Sequence, residues 1–237
     1  MPKKSLTLLL IIMVGITGLF SFCTQPDDNR FVSYTVKPNQ IALYYKDNAG
    51  NRYGSLGNLK SALAKEGETL LFAMNGGMYK PNHSPQGLNI ENYHEISPID
   101  TTSGTGNFYL KPNGIFYIDR NTKPHITTTP DFKATDVKFA TQSGPMLVTD
   151  GAIHSAFKEG SSNVQVRNGV GVLPNGRVIF AMSKDKINFY DFALYFKNLG
   201  CKNALYLDGF VSRMYCPEKG ITQTDGDFGV IIGASSN

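Results

Sequence analysis

The sequence Leu199-Gly-Cys-Lys-Asn-Ala-Leu-Tyr-Leu-Asp208-Gly-Phe-Val-Ser-Arg-Met-Tyr215 decides how the chain folds around its candidate site. Gly200 is placed to end a preceding helix, and the apolar residues 204–207 predict a short buried strand. Asp208 follows directly, so its carboxylate is expected at the C-terminal end of that strand, where Gly209 lets the backbone turn. Charged groups at strand ends are a common way to build a site on a rigid scaffold. The alternative is that Asp208-Gly209 is an ordinary turn.

The elements around this stretch predict an α+β fold. A helix is predicted over residues 189–199, whose phenylalanines recur on one helical face, and a shorter helix over 58–65. Strands are predicted at 31–36, 40–46, 69–74 and 229–233. Asn-Gly and Asp-Gly turns predict three hairpins, which join 107–110 to 115–118, 145–148 to 152–154, and 169–173 to 177–182. We therefore expect mixed, mainly antiparallel sheets with hairpins and few helices, in a single domain.

The N-terminus has the pattern of an export signal. Lys3 and Lys4 precede an uncharged apolar run over 6–22, and a polar stretch follows. We interpret residues 1–23 as the signal, 24–30 as a tether and 31–237 as the domain. Cys23 ends the run, as in bacterial lipoprotein signals, although Phe22 stands where such signals prefer a small residue. We expect an exported, periplasmic or outer-surface lipoprotein anchored to the membrane through Cys23; ordinary secretion and an uncleaved anchor remain alternatives.

The charge of the mature chain argues against nucleic-acid binding. The full sequence of 237 residues has a net charge of +4, and the first 23 residues contain two lysines and no acidic residue. Their removal lowers the net charge to +2, and no basic run remains. The sequence therefore predicts no nucleic-acid partner.

Cys201 and Cys216 flank the Asp208 strand on either side. In an oxidising compartment they could form a disulfide that braces this segment, or they could be two buried thiols. Their spacing leaves both alternatives open. The sequence contains no C-x-x-C motif and no Cys/His cluster with metal-ligand spacing.

Four polar clusters lie at predicted strand ends or in glycine-rich loops. Taken singly, each is typical of a turn, a loop or a solvated surface charge. Together they supply backbone amides, a guanidinium, amide side chains and one carboxylate, and amides with an arginine are groups that hold a phosphate. Ser143 is not in a nucleophile elbow, because Thr141 occupies the first glycine position of that motif. The clusters are Asn75-Gly76-Gly77, Gln142-Ser143-Gly144-Pro145, Arg167-Asn168-Gly169, and Asp208-Gly209 with Ser212.

Five motifs in this order resemble the phosphodiester glycosidase family, which includes the uncovering enzyme, an N-acetylglucosamine-1-phosphodiester α-N-acetylglucosaminidase, and bacterial proteins described as exopolysaccharide-related. The resemblance covers about residues 31–233. Many members continue the last motif as Asp-Gly-Gly-Gly-Ser, whereas this chain has Phe210 and Val211 after Gly209, as in a smaller bacterial branch. The motifs are AMNGGMY at 73–79, PQGL at 85–88, QSGPML at 142–147, RNGVG at 167–171 and LDG at 207–209.

The resemblance implies hydrolysis of a sugar-1-phosphodiester to a free sugar and a phosphomonoester, on envelope or extracellular glycans. Asp208 would act on the anomeric carbon as base or nucleophile, and Arg167 would hold the phosphate with the amides of Gly76 and Gly77. Asn75, Gln142 and Ser143 would position sugar hydroxyls or phosphate oxygens, and the wider substrate-binding set adds Gly144, Asn168, Gly209 and Ser212. No cofactor is implied, although Asp208 could instead bind a divalent metal. Because of Phe210 and Val211, a non-catalytic glycan-binding or envelope-assembly lipoprotein is the alternative.

Overall fold

A computed structural model of the chain describes residues 28–133 and 135–236. The predicted signal with Cys23, and most of the predicted tether, lie outside the described residues. The helices are α1 (Leu56–Lys65) and α2 (Phe189–Asn198). The strands are β1 (Phe31–Val36), β2 (Ile41–Tyr44), β3 (Thr69–Asn75), β4 (Asn89–Glu91), β5 (His94–Ser97), β6 (Gly114–Asp119), β7 (Pro124–Thr128), β8 (Val137–Ser143), β9 (Met146–Thr149), β10 (Ala152–Ile153), β11 (Asn168–Val172), β12 (Val178–Ser183), β13 (Ala204–Tyr206), β14 (Met214–Cys216), β15 (Ile221–Thr222) and β16 (Ile231–Ser236).

The strands form three sheets whose described neighbours all pair antiparallel. The first has the order β1-β12-β11-β13-β9-β10, the second β15-β14-β3-β16-β2, and the third β5-β4-β8-β6-β7. Strands distant in sequence are therefore neighbours, as when β3 pairs with both β14 and β16. This arrangement confirms the predicted α+β class with mainly antiparallel sheets and few helices.

The inner faces of all three sheets enclose one apolar core. Phe180 of the first sheet, Phe72 of the second and Phe116 of the third are almost fully buried in it. The ring of Phe72 stacks on that of Phe180 at 5.2 Å and on that of Tyr34 at 4.6 Å. Since alternate residues of a strand point to opposite faces, each sheet also has an outer apolar face, and the helices cover two of them.

Helix α2 covers the outer face of the first sheet and α1 that of the second. Ser55 caps α1, because its side chain accepts a hydrogen bond from the Asn58 amide, and Asn188 caps α2 in the same way. Gly200 follows α2 with φ +79°, which confirms the predicted glycine stop. The first helix begins at Leu56 rather than at residue 58, because Ser55 supplies the cap. Neither helix of the described part has the length and apolar content that crossing a bilayer requires.

Two of the three predicted hairpins are confirmed and one is wrong. β9 pairs with β10, and β11 pairs with β12, across the predicted turns. Residues Asn107–Tyr109 instead form a 3-10 turn, and β6 pairs with β7 across a turn at Arg120 and Asn121. The Asn113-Gly114 pair therefore does not close a hairpin; Gly114 begins β6. Asn113 is fully buried, and its Nδ2 donates to the Phe108 carbonyl.

Cys201 and Cys216 do not form a disulfide. Both are free and buried, Cys201 in the cluster beneath α2 and Cys216 in the central core. Their side chains belong to different apolar clusters, which agrees with the alternative of two buried thiols. Burial raises the pKa of Cys201 to about 12 and also raises the pKa of Cys216.

These thiols are expected to be protected in the folded protein. In a Cys23→Ala variant, which leaves only Cys201 and Cys216, a thiol reagent should label neither residue rapidly under native conditions. Both should react after unfolding without any reductant. Labelling that requires a reductant would contradict the free thiols of the structure.

Candidate active site

Three strand ends that are far apart in sequence meet at Asn75. This residue is the last of β3, Asn168 is the first of β11, and Asp208 lies two residues beyond β13. The Asn168 Nδ2 donates to both Oδ1 and the backbone carbonyl of Asn75, each at 3.0 Å. The Asn75 Nδ2 donates to the Asp208 carbonyl, and Asn75 Oδ1 also accepts from the Arg213 amide at 2.9 Å. Asn75 thus ties three segments together, and it is 1% exposed.

The Asp208 carboxyl is the titratable group at this junction. The residue is half-buried, and this burial raises its pKa to about 6, although the nearby Phe210 amide acts in the opposite direction. Among the described residues no lysine or arginine forms an ion pair with it. Tyr79 and Tyr206 are close enough for the Asp208 charge to raise the pKa of each phenol, after the larger effect of burial. Perturbed carboxyls of this kind are common at active sites.

Two buried polar atoms beside this junction have no hydrogen-bond partner in the described protein. They are the Oδ1 of Asn168 and the Oγ of Ser143, and both residues are fully buried. Ser143 is the last residue of β8, and the Pro145 carbonyl two residues later accepts from the Tyr206 amide. Since buried polar groups are nearly always hydrogen-bonded, these atoms are candidates for contact with a ligand or ordered water.

Arg167 is buried rather than open to a substrate. It is 1% exposed, and its guanidinium carbon lies 3.5 Å from the centre of the Phe189 ring. The Nε donates to the Ile187 carbonyl at 2.7 Å and Nη2 to the Asn163 carbonyl at 2.8 Å. The Nη1 reaches the Tyr206 hydroxyl at 3.4 Å, a long contact. Burial lowers the Arg167 pKa. The guanidinium is thus connected to the Asp208 turn through its contact with Tyr206. The expected direct contact of Arg167 with a phosphate stays a prediction.

Gln142 also has protein partners for both ends of its side-chain amide. The Oε1 accepts from the Leu88 and Asp100 amides, each at 2.9 Å, and Nε2 donates to the Asp100 carbonyl at 2.7 Å. These bonds hold Leu88 and Asp100, which lie on either side of the β4–β5 hairpin, against β8. The contacts favour a structural role, and a role in positioning substrate stays a prediction.

The predicted glycines allow close packing around the site. A Cβ at Gly77 would lie 2.1 Å from Thr141 Oγ1, and one at Gly209 would lie 1.9 Å from the Tyr206 hydroxyl. The Gly76 amide already donates to the Val230 carbonyl at 2.8 Å, so this amide is not free for a phosphate. Gly144 is similarly crowded against Asn113.

Ser212 closes the turn that follows Asp208. Its Oγ donates to the Gly209 carbonyl at 3.0 Å, and the residue is buried. Ser212 was expected to contact substrate, and its hydroxyl stabilises the short helical turn Gly209–Val211.

Three residues of this region were not singled out from the sequence. Tyr79 is near enough to Asp208 for the carboxylate charge to raise the pKa of its phenol, Tyr206 lies between Arg167 and the Asp208 turn, and Arg213 donates its amide to Asn75. The Arg213 side chain forms an ion pair with Asp225 at 2.8 Å. Tyr79 ends the first family motif and Tyr206 precedes the last, so their places in those motifs were the available signal.

No group of three or more His, Cys, Asp or Glu side chains in the described ranges could hold a metal ion. A divalent metal at Asp208 would therefore have one carboxylate and otherwise amide or carbonyl oxygens as its protein ligands. The alternative that Asp208 binds a divalent metal is not tested by this structure and stays open.

Comparison with known proteins identifies relatives of the chain. The family model described as "Phosphodiester glycosidase" matches residues 68–229. The protein YigE of Escherichia coli (strain K12) is 36% identical over 216 residues, a match that spans 89% of this chain and 83% of YigE.

Solved structures share the fold at low sequence identity. The catalytic domain of zebrafish N-acetylglucosamine-1-phosphodiester alpha-N-acetylglucosaminidase, auto-inhibited by its pro-peptide, matches with a TM-score of 0.59 and 13% identity, over 87% of this chain and 82% of that one. A hypothetical protein from Synechocystis matches with a TM-score of 0.55 and 14% identity, over 87% of this chain and 59% of that one. The match to the family model, over residues 68–229, includes all four polar clusters.

Proposed function

The chain belongs to the phosphodiester glycosidase family, and from this premise we propose that it hydrolyses a sugar-1-phosphodiester to a free sugar and a phosphomonoester. The observation that carries the proposal is Asp208: a half-buried carboxyl with a pKa of about 6, held at a junction of three segments by Asn75. Incubation with a panel of sugar-1-phosphodiesters, with detection of released sugar, tests it.

One carboxylate is enough for this reaction on chemical grounds. Glycosidases that expel an alkoxide need a second carboxylic acid to protonate the leaving oxygen. A phosphate monoester leaves as a stable anion, so protonation of the leaving group matters less. In the proposed step the C1–O bond breaks, its electron pair stays with the phosphate, and water supplies the new hydroxyl at C1. Ionised Asp208 acts either as the nucleophile at C1 or as the base that takes the proton from water.

The polar groups around Asp208 suit the two halves of such a substrate. The Asn168 Oδ1 and the Ser143 hydroxyl have no protein partner among the described residues: Asn168 can receive a hydrogen bond from a sugar hydroxyl, and Ser143 can donate to a phosphate oxygen or accept from the sugar. Both atoms are fully buried, so these contacts require neighbouring residues to move. Arg167 contributes a positive charge behind Tyr206, in an environment where burial strengthens its field. We assign Arg167 this electrostatic and structural role, with direct phosphate contact requiring Asn163 to move away.

The rate is expected to depend on the ionisation of Asp208. Because the carboxylate is the reactive form, kcat/KM should rise as the pH rises through about 6, the pKa of Asp208. The phenols of Tyr79 and Tyr206, whose pKa values are raised, stay neutral in this range. A pH–rate profile on one active substrate measures this. Activity that is highest at pH 4 and falls through pH 6 would mean that protonated Asp208 acts as an acid instead.

We also propose that the protein is exported and anchored in the membrane by a lipid on Cys23, where it acts on envelope or extracellular glycans. The sequence pattern of residues 1–23 supports this part of the proposal. Metabolic labelling with an alkyne-tagged fatty acid should mark the wild-type protein and leave a Cys23→Ala variant unlabelled. Equal labelling of both proteins would contradict the lipid anchor.

The second candidate is a glycan-binding or envelope-assembly lipoprotein without catalytic activity. The observation that favours it is Phe210, an exposed aromatic residue where the Asp-Gly-Gly-Gly-Ser pattern of the family resemblance has glycine. This candidate predicts saturable binding of sugar phosphodiesters without product, and the same binding in Asp208→Asn. The two candidates are therefore separated by whether product accumulates.

A further inference from the structure

Phe210 is the most exposed large apolar side chain of the described residues, and it stands directly beside the candidate catalytic carboxyl. It is 83% exposed, against 48% for Tyr93, the next in order. Single exposed apolar residues are ordinary on protein surfaces. The position of this one is unusual, because it lies two residues after Asp208, in the short helical turn that begins at Gly209.

The turn that carries Phe210 is fixed on both sides. Gly209 is buried against the Tyr206 ring, with no room for a Cβ, and Ser212 Oγ donates to the Gly209 carbonyl at 3.0 Å. Val211 packs against the apolar cluster beneath α1. The backbone of the turn is therefore held against the protein while the Phe210 ring alone projects into solvent.

We propose that Phe210 forms an aromatic stacking face for the sugar ring of the substrate at Asp208, and so determines specificity for the sugar. This inference rests on the proposed function for the position of the sugar. Phe210 lies only two residues after Asp208 and its carboxylate, in the turn Gly209–Val211. A sugar whose anomeric carbon meets that carboxylate is therefore within reach of the ring.

The chemistry of the ring fits a sugar better than a larger partner. An aromatic face carries partial negative charge and attracts the polarised C–H groups on one face of a pyranose. Protein partners bury many residues on each side, and a specific interface needs on the order of 1,000 Å². Phe210 offers a single exposed ring, because its neighbours Gly209 and Val211 are buried and half-buried. The face of one aromatic ring matches the face of one sugar ring.

The chain contains no tryptophan, and this allows a direct test by fluorescence. A Phe210→Trp variant has its only indole at the proposed stacking face, and Tyr93→Trp is the matched control at an exposed site on another sheet. The probes are methyl phosphodiesters of α-glucose 1-phosphate and α-N-acetylglucosamine 1-phosphate, dimethyl phosphate, and vesicles of phosphatidylglycerol.

We expect saturable fluorescence changes in Phe210→Trp with at least one sugar phosphodiester, and none with dimethyl phosphate or in Tyr93→Trp. No response to any sugar probe would overturn the inference, and so would a response to vesicles alone, which would make the ring a membrane contact. A response to dimethyl phosphate equal to that with the sugars would also overturn it, because the ring would then report phosphate and not sugar.

Kinetics separate this inference from the proposed function. On a substrate that wild type hydrolyses, Phe210→Ala should raise KM about fivefold, a larger effect than its change in kcat, and Phe210→Tyr should restore the wild-type KM. Wild-type KM in Phe210→Ala would overturn the inference while the hydrolase activity stands. Sugar-dependent fluorescence without any hydrolysis would support stacking and reject the hydrolase.

Discussion

Replacement of Asp208 by asparagine is expected to abolish hydrolysis of sugar phosphodiesters. The change keeps the size and shape of the side chain, but the negative charge is lost. Loss of a general base or nucleophile typically lowers the rate by at least about 10² to 10⁴. The kcat of Asp208→Asn should therefore fall at least 10³-fold or so on this basis.

The same substitution should make the folded protein more stable at neutral pH. The pKa of Asp208 is raised in the folded state, so ionisation of this carboxyl destabilises the fold. The free energy of unfolding therefore has its full value below pH 4 and falls as the pH rises through about 6. Asparagine removes this cost, and we expect a gain of about 2 kcal/mol at pH 8, or roughly 5 °C in Tm. At pH 4 the two proteins should unfold at similar temperatures.

A matched control for both measurements is Asp185→Asn, which changes an exposed aspartate. It should alter neither kcat nor the pH dependence of Tm. If Asp208→Asn keeps near-normal turnover, Asp208 is a structural turn residue and the mechanism proposed above is wrong. If the stability gain is absent at pH 8, the carboxyl is not desolvated as the structure has it.

Replacement of Asn75 by alanine is expected to destabilise the fold and to inactivate the site together. Alanine removes the donor to the Asp208 carbonyl and the acceptor for Asn168 Nδ2 and the Arg213 amide. Each buried donor left without a partner costs about 1–3 kcal/mol, so the total loss should be about 3 kcal/mol. Activity should also fall at temperatures where the variant is still folded, because nothing then holds the Asp208 carbonyl in place.

Urea unfolding and activity at a low temperature measure these two effects. The control is Asn48→Ala, an exposed asparagine, which should change the free energy of unfolding by less than about 0.5 kcal/mol. An Asn75→Ala variant as stable and as active as wild type would show that the three segments do not depend on this side chain.

Local sequence signals correctly predicted several of the elements whose ends are marked by glycine or by Asn-Gly and Asp-Gly pairs. Gly200 marked the end of α2, and Asp150-Gly151 and Asn175-Gly176 marked two true hairpin turns. The hairpin of β4 and β5 was missed, because its turn places Asn92 and Tyr93 at positive φ, and tyrosine rarely adopts that conformation. The third predicted hairpin was wrong, because β6 pairs with β7, which follows it in the sequence, and not with residues 107–110, which precede it.

The environment of a side chain was harder to predict than its place at a strand end. Asn75, Asn168 and Asp208 come from three of the predicted clusters, and hydrogen bonds join them at one junction. A lone arginine is usually exposed, yet Arg167 is buried by Phe189 and Tyr206, which come from elements more than 20 residues away. Gln142 is likewise paired with a loop far from it in sequence. Such long-range packing leaves no local trace in the sequence.

The most direct test of the proposed function is hydrolysis of a sugar-1-phosphodiester in water enriched in ¹⁸O, with mass analysis of the phosphomonoester. Attack at the anomeric carbon breaks the C1–O bond, so the phosphate keeps its original oxygens and should carry no ¹⁸O. Attack at phosphorus would place one ¹⁸O in the phosphomonoester, and that result would contradict a glycosidase mechanism built on Asp208. No product from any member of the sugar panel would contradict the hydrolase itself.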